Sequence, residues 1–111
     1  GANFRPPKQG DSDMKSFRTY QLAKELFHQS QNVKLASPAR DQFQRAVLSI
    51  ALNLAEGSGK ETNADRRRFY QIAMGSLREA QAIIDLYDLK GLKKAADVLG
   101  AHVFRLCQSL R

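Results

Sequence analysis

Arg66-Arg67-Arg68 is the charge cluster in this chain with the clearest chemical potential. Local spacing predicts a helix starting near Asn63, which puts all three guanidinium groups in its first turns. The helix dipole is already positive there, so arginine is locally unfavourable. Unpaired helix N–H groups and arginines together form an anion site suited to phosphate. Lys60 lies on the adjoining loop. The plainer reading is a solvated face with Arg68 paired to an acid. Gly57-Ser58-Gly59-Lys60 looks like the end of a phosphate-binding P-loop, but the motif fails. Leu54 stands where its first glycine belongs, Glu61 stands where Ser or Thr belongs, and a helix precedes it instead of a strand. A helix C-cap and turn accounts for these glycines.

His28, His102 and Cys107 are the soft metal-ligand candidates, and none has CxxC or HxxxH spacing. His102 and Cys107, on one helix, do not align on one face. No nucleophile–base constellation is present, so neither metal, cofactor nor catalysis is expected. Ser49, Asn53, Glu56 and Gly57 form a small or polar strip at helical spacing. Gly75, Ser76 and Glu79 form a similar strip further on. A small-ligand site is one reading. A structural polar motif is preferred, because buried polar groups must be paired. Asn53 and Glu56 are then expected to bond across to the next helix or its loop. A buried Glu56 needs a cation, with Arg68 or Arg78 available. Gly75 and Ser76 are expected to let two backbones approach closely.

The elements positioning these residues are helical throughout. Phe17, Tyr20, Ala23, Leu26 and Phe27 mark a helix from about Ser16 to Gln31. Ser37-Pro38 is a restart signal, Ser37 as N-cap and Pro38 in the first helical position. The second helix runs from about Pro38 to Glu56. Phe43, Ala46, Val47, Ile50 and Leu54 make one stripe; Leu48, Leu52 and Ala55 make another, displaced around the axis. A helix apolar on two sides is buried on two sides, so Leu48, Leu52 and Ala55 are candidates for a subunit interface. Gly57-Ser58-Gly59 ends the helix, since glycine adopts the left-handed C-cap conformation cheaply. Thr62 or Asn63 caps the third helix, whose expected core positions are Phe69, Ile72, Ala73, Ser76, Ala80, Ile83 and Tyr87. Tyr70, beside the arginines, either stacks on a base or covers an interhelical or subunit contact. Gly91 supplies the stop, and a fourth helix runs from about Leu92 to Leu110. The expectation is an all-α, up-down-up-down antiparallel four-helix bundle over residues 16–111, behind an N-terminal tail over 1–15.

The chain has 111 residues, enough for one domain, and a net charge of +7. That excess points to an anionic partner, nucleic acid first. No run approaches the ~20 apolar residues of a membrane span. One cysteine cannot make an internal disulfide, which makes the cytoplasm the expected compartment. Lys60, Arg66 and Arg67 are the first candidates for phosphate contacts, followed by Lys15, Arg18 and Lys24. Lys90, Lys93 and Lys94 form another basic group.

Two runs carry a family resemblance: Ser49-Ile50, then Asn53-Leu54-Ala55-Glu56-Gly57, and Arg68-Phe69, Ile72-Ala73, Gly75-Ser76-Leu77 and Glu79. With them the chain, from about Phe17 to Leu110, resembles the four-helix-bundle proteins encoded by intervening sequences in bacterial 23S ribosomal RNA genes. That family is similar in fold to the accessory variability proteins of diversity-generating retroelements, which are basic pentameric barrels assisting a reverse transcriptase and its RNA template. The resemblance implies a homopentamer that binds RNA or DNA without catalysis. Family membership supports fold better than function. The alternative is a protein-interaction accessory subunit, for example of a retroelement reverse transcriptase.

Overall fold

A computed structural model describes residues 11–110, and these form four helices. They are α1 (Asp11–Ser30), α2 (Ala39–Ser58), α3 (Asn63–Leu86) and α4 (Lys90–Ser109). Among the described residues there is no strand. Each helix packs against two others, in the cyclic order α1, α2, α3, α4, and the α2/α3 contact is the most extensive. No helix is long and apolar enough to cross a membrane.

One core runs through this four-helix bundle. Leu26, Phe43, Ile50, Leu54, Leu77 and Leu99 are fully buried at its centre. Thr19 and Ser30 are buried too, and their hydroxyls donate to carbonyls of their own helix, Lys15 and Phe27, at 2.7 and 2.6 Å. This pairing removes the penalty of burying a bare hydroxyl.

Several boundaries differ from expectation, each for a local reason. Residues 11–15, expected in the tail, belong to α1. Residues 1–10 of the expected tail lie outside the described residues. Ser37 does not cap α2; Pro38 is the cap residue, without a side-chain bond, and the Arg40 N–H reaches the Ala36 carbonyl instead. Thr62 does cap α3, its Oγ1 accepting the Asp65 N–H at 3.1 Å. α2 runs through Gly57 to Ser58, and the capping residue Gly59 stays in right-handed space at φ −88°. Gly91 does not stop α3. Asp88 does, at φ 56°, with the Leu89 N–H returning to the Ile84 carbonyl at 2.9 Å. Asp tolerates this left-handed position better than most residues because its short polar side chain bonds locally. Gly91 therefore falls inside α4, with open space where its Cβ would sit.

The buried stripe of α3 is rotated from the expected one. Ala73, Ala80 and Ile83 are inside as expected and Tyr70, Leu77 and Ile84 join them, whereas Ile72 and Tyr87 are exposed and Phe69 and Ser76 half-buried. Both sets obey the helical period. Packing against α2 and α4 selects which one turns inward. On α2 the main stripe is buried as expected, and Leu48 and Leu52 lie outside the bundle at 44% and 48% exposure.

Candidate nucleic-acid interface

The arginine cluster opens α3, and consecutive residues on a helix point about 100° apart. Arg66, Arg67 and Arg68 therefore face three different neighbourhoods. Arg66 is half-buried and its Nε donates to the Lys60 carbonyl at 2.7 Å, closing the α2–α3 loop. It also lines a small cleft with Ser16, Tyr70 and Leu106. Arg67 is half-buried on the α4 side, its Nε enclosed without a hydrogen-bond partner. There it faces Cys107, whose thiol burial pushes above its ordinary pKa while the Arg67 charge pulls it partly back. Arg68 is exposed and lies over the Phe69 ring, 4.6 Å from the centroid.

Lys60 lies over the same ring at 5.1 Å and pairs with Glu56 at 3.5 Å. Both Lys60 and Glu56 are partly solvated, so this pair contributes little stability. The cluster thus does not act as one phosphate cradle. Two of the three leading candidates, Arg66 and Arg67, are half-buried against their own fold, and Lys60 already has a carboxylate and a ring. Phe69, with a cation from either side of the loop, was not singled out by the sequence. An aromatic residue next to Arg68 and near Lys60 is the signal that could have found it.

The polar motif lies where α2 meets α3. Ser49 Oγ and Ser76 Oγ are 2.8 Å apart and form the bond between the two helices. Asn53 does not reach α3; its Nδ2 donates to the Ser49 carbonyl at 2.9 Å and to Ser49 Oγ at 3.1 Å. Glu56 is exposed and uses Lys60, so it needs neither Arg68 nor Arg78, and both arginines are exposed. Glu79 is exposed as well. Close approach is provided by Gly57, not Gly75. A Cβ on Gly57 would meet Tyr70 Cε1 at 2.7 Å, whereas at Gly75 nothing lies within 4 Å. Tyr70 is 2% exposed, packed on that glycine, and is a core residue with no face for a base or a subunit. Ala55 is likewise buried within the chain. Of the four residues expected at a subunit interface, Leu48 and Leu52 remain outside. Ile72, 44% exposed on α3, is a third exposed apolar side chain in these two runs.

The second group of cations has the opposite character. Lys15, Arg18 and Lys24 are all exposed on α1, and none makes an ion pair among the described residues. From Met14 onward α1 holds one acid, Glu25. Two lysines near the α3–α4 turn are matched, Lys90 with Asp88 at 3.7 Å and Lys93 with Asp97 at 3.1 Å, whereas Lys34 and Lys94 are exposed and, like the α1 cations, make no ion pair among the described residues. His28 is exposed on α1, and His102 Nδ1 lies 2.9 Å from the Val98 carbonyl. Among the described residues, no three His, Cys, Asp or Glu side chains converge to hold a metal.

Neither the curated proteins nor the solved structures contain a match to this chain. Residues 15–107 match the family described as 23S rRNA-intervening sequence protein. That span takes in most of the four helices and both motif runs that meet at the α2/α3 contact, and the chain belongs to the 23S rRNA-intervening sequence protein family.

Proposed function

We propose that this protein is a non-enzymatic nucleic-acid-binding protein that grips the phosphate backbone of RNA, or of DNA, through the exposed cations spread around the solvent side of α1. The observation carrying this reading is the exposed set Lys15, Arg18 and Lys24, which makes no ion pair among the described residues. Solvated cations release counterions when they meet phosphate, and that release drives affinity. Such contacts carry little sequence information, so specificity is low. Lys60, Arg66 and Arg67 contribute less than their charges imply, because part of each is engaged within the fold.

The working form in this reading is a homo-oligomeric ring of antiparallel, up-down-up-down bundles. The connections support the antiparallel run. Three residues, 87–89, join α3 to α4, and that length spans at most ~11 Å. A helix of this size is ~30 Å long, so two packed neighbours so joined must reverse direction. Leu48, Leu52 and Ile72 support the ring, since apolar side chains left in water on adjoining helices favour burial against another copy. Five is the subunit number implied by the resemblance to retroelement accessory proteins. Several copies of the α1 cations would add avidity.

The test is fluorescence anisotropy with a short single-stranded RNA at several salt concentrations. Binding weakens steeply with salt, and replacing Lys15, Arg18 and Lys24 together by alanine lowers the slope of log K against log salt by about 2, at ~0.7 per lost phosphate contact. Salt-insensitive binding, or a triple variant with unchanged slope, would refute the mechanism.

A further inference from the structure

The end of the bundle that holds the α3–α4 turn carries two dissimilar surfaces side by side. On one, α3 ends in Leu86, 78% exposed, followed by Tyr87, 52% exposed. Asp85 and Asp88 flank this pair, and with Asp97, Lys90 and Lys93 they line a cleft of about 170 Å³ between α3 and α4. Lys90 pairs with Asp88 and Lys93 with Asp97, so Asp85 is its carboxylate without an ion pair among the described residues. On the other, two shallow clefts of about 390 and 330 Å³ share Gln29 and Gly91, and so form one trough beside α4. Val33, Leu89, Leu92 and Val98 give the trough its apolar lining, and Lys34, Lys90 and Lys94 its charge. Glu25 is its one carboxylate, set against Gln29 at 3.5 Å. Lys90 lines both the acidic cleft and the trough, so the two surfaces adjoin.

An exposed leucine between carboxylates and an apolar trough between lysines are complementary in both shape class and charge. They cannot meet within one chain, because they lie beside each other on the same end. We infer that this end docks against the same end of a second copy of the chain, about a two-fold axis. Leu86 and Asp85 of each copy enter the trough edged by Lys34 and Lys94 of the other. A two-fold contact requires both halves of a complementary pair on one patch, which this end provides. Nucleic acid is a poorer occupant, since phosphates are repelled by Asp85 and gain nothing from Leu86 or the apolar lining. The contact uses the bundle end and leaves the outward α2 side chains Leu48 and Leu52 free, so it joins two monomers or two larger assemblies alike.

Sedimentation velocity on the full chain tests this. Leu86→Glu, at a solvated position that does not disturb the core, halves the particle mass. Asp85→Lys puts a lysine beside Leu86 where the partner's trough is edged by lysines, and Lys34→Glu with Lys94→Glu puts glutamates opposite Asp85; each variant alone also halves the mass. Mixing those two variants restores the original mass, because opposite charges again face each other whatever the detailed register. Unchanged mass in Leu86→Glu, or two half-mass variants that do not recombine when mixed, would overturn the proposal. Circular dichroism on each variant separates dissociation from unfolding. Leu52→Glu, on the α2 face, reports on the ring separately, so either contact can fail while the other stands.

Discussion

Gly57→Ala is the substitution on which the packing argument can be tested most sharply. Gly57 sits inside α2, where alanine is the better helix former by about 0.5–1 kcal/mol. Considered as a helix alone, the variant should be stabilised. The tertiary geometry says otherwise. The new Cβ would lie 2.7 Å from Tyr70 Cε1, 2.9 Å from Tyr70 Cδ1 and 3.1 Å from Phe69 Cβ. Tyr70 is buried and cannot swing into solvent, and Phe69 Cβ is fixed to the α3 backbone. Relief therefore requires α3 to move away from α2 along their contact. Overpacking of this kind costs about 1–3 kcal/mol, and two groups must yield, which places the cost in the upper part of that range. The net expectation is a loss of about 1–2 kcal/mol, or a fall in Tm of roughly 5–15 °C for a domain of this size. Urea unfolding with an unchanged m-value is the assay. Gly75→Ala is the control, since nothing lies within 4 Å of its Cβ, and it should gain up to about 1 kcal/mol. Adding Tyr70→Leu removes the ring, and the cost of alanine at 57 should then shrink by more than about 0.5 kcal/mol. A Gly57→Ala protein as stable as the parent, or a double variant that is strictly additive, would refute the reasoning.

Two further expectations concern single interactions. Ser49→Ala or Ser76→Ala leaves one half-buried hydroxyl without its partner across α2 and α3, and each should cost about 1 kcal/mol, whereas the double substitution should cost less than the sum; urea titration of all three variants checks this. Asp88→Gly frees the turn after α3 from its positive φ and gives up a solvated ion pair with Lys90; thermal unfolding should show a gain of up to about 1 kcal/mol.

The sequence by itself determined the four helices, a cap for α3 at Thr62 or Asn63, the main buried stripe of α2 and the family. Those features depend on residue order alone: helical period, cap chemistry, and two motif runs. The rotation of α3 was decided only by the tertiary structure. A helical period fixes the angles between residues within one helix, but it does not say which face turns toward the neighbours. Phe69, Ile72 and Ser76 obey the period as well as Tyr70, Leu77 and Ile84, and packing against α2 and α4 chose the second set, with Ala73, Ala80 and Ile83 common to both stripes. The same choice separated the three consecutive arginines, buried Tyr70 on Gly57, left Gly75 open, and exposed Glu56 to Lys60. Formal charge was legible from composition, yet which cations remain free depends on where the acids fall in space. Lys60 met a carboxylate one turn away, while Lys15, Arg18 and Lys24 met none among the described residues. The turn after α3 followed the same logic. Gly91 looked like the stop, but α3 ends at Leu86, and the positive φ of the turn falls on Asp88, three residues before the glycine.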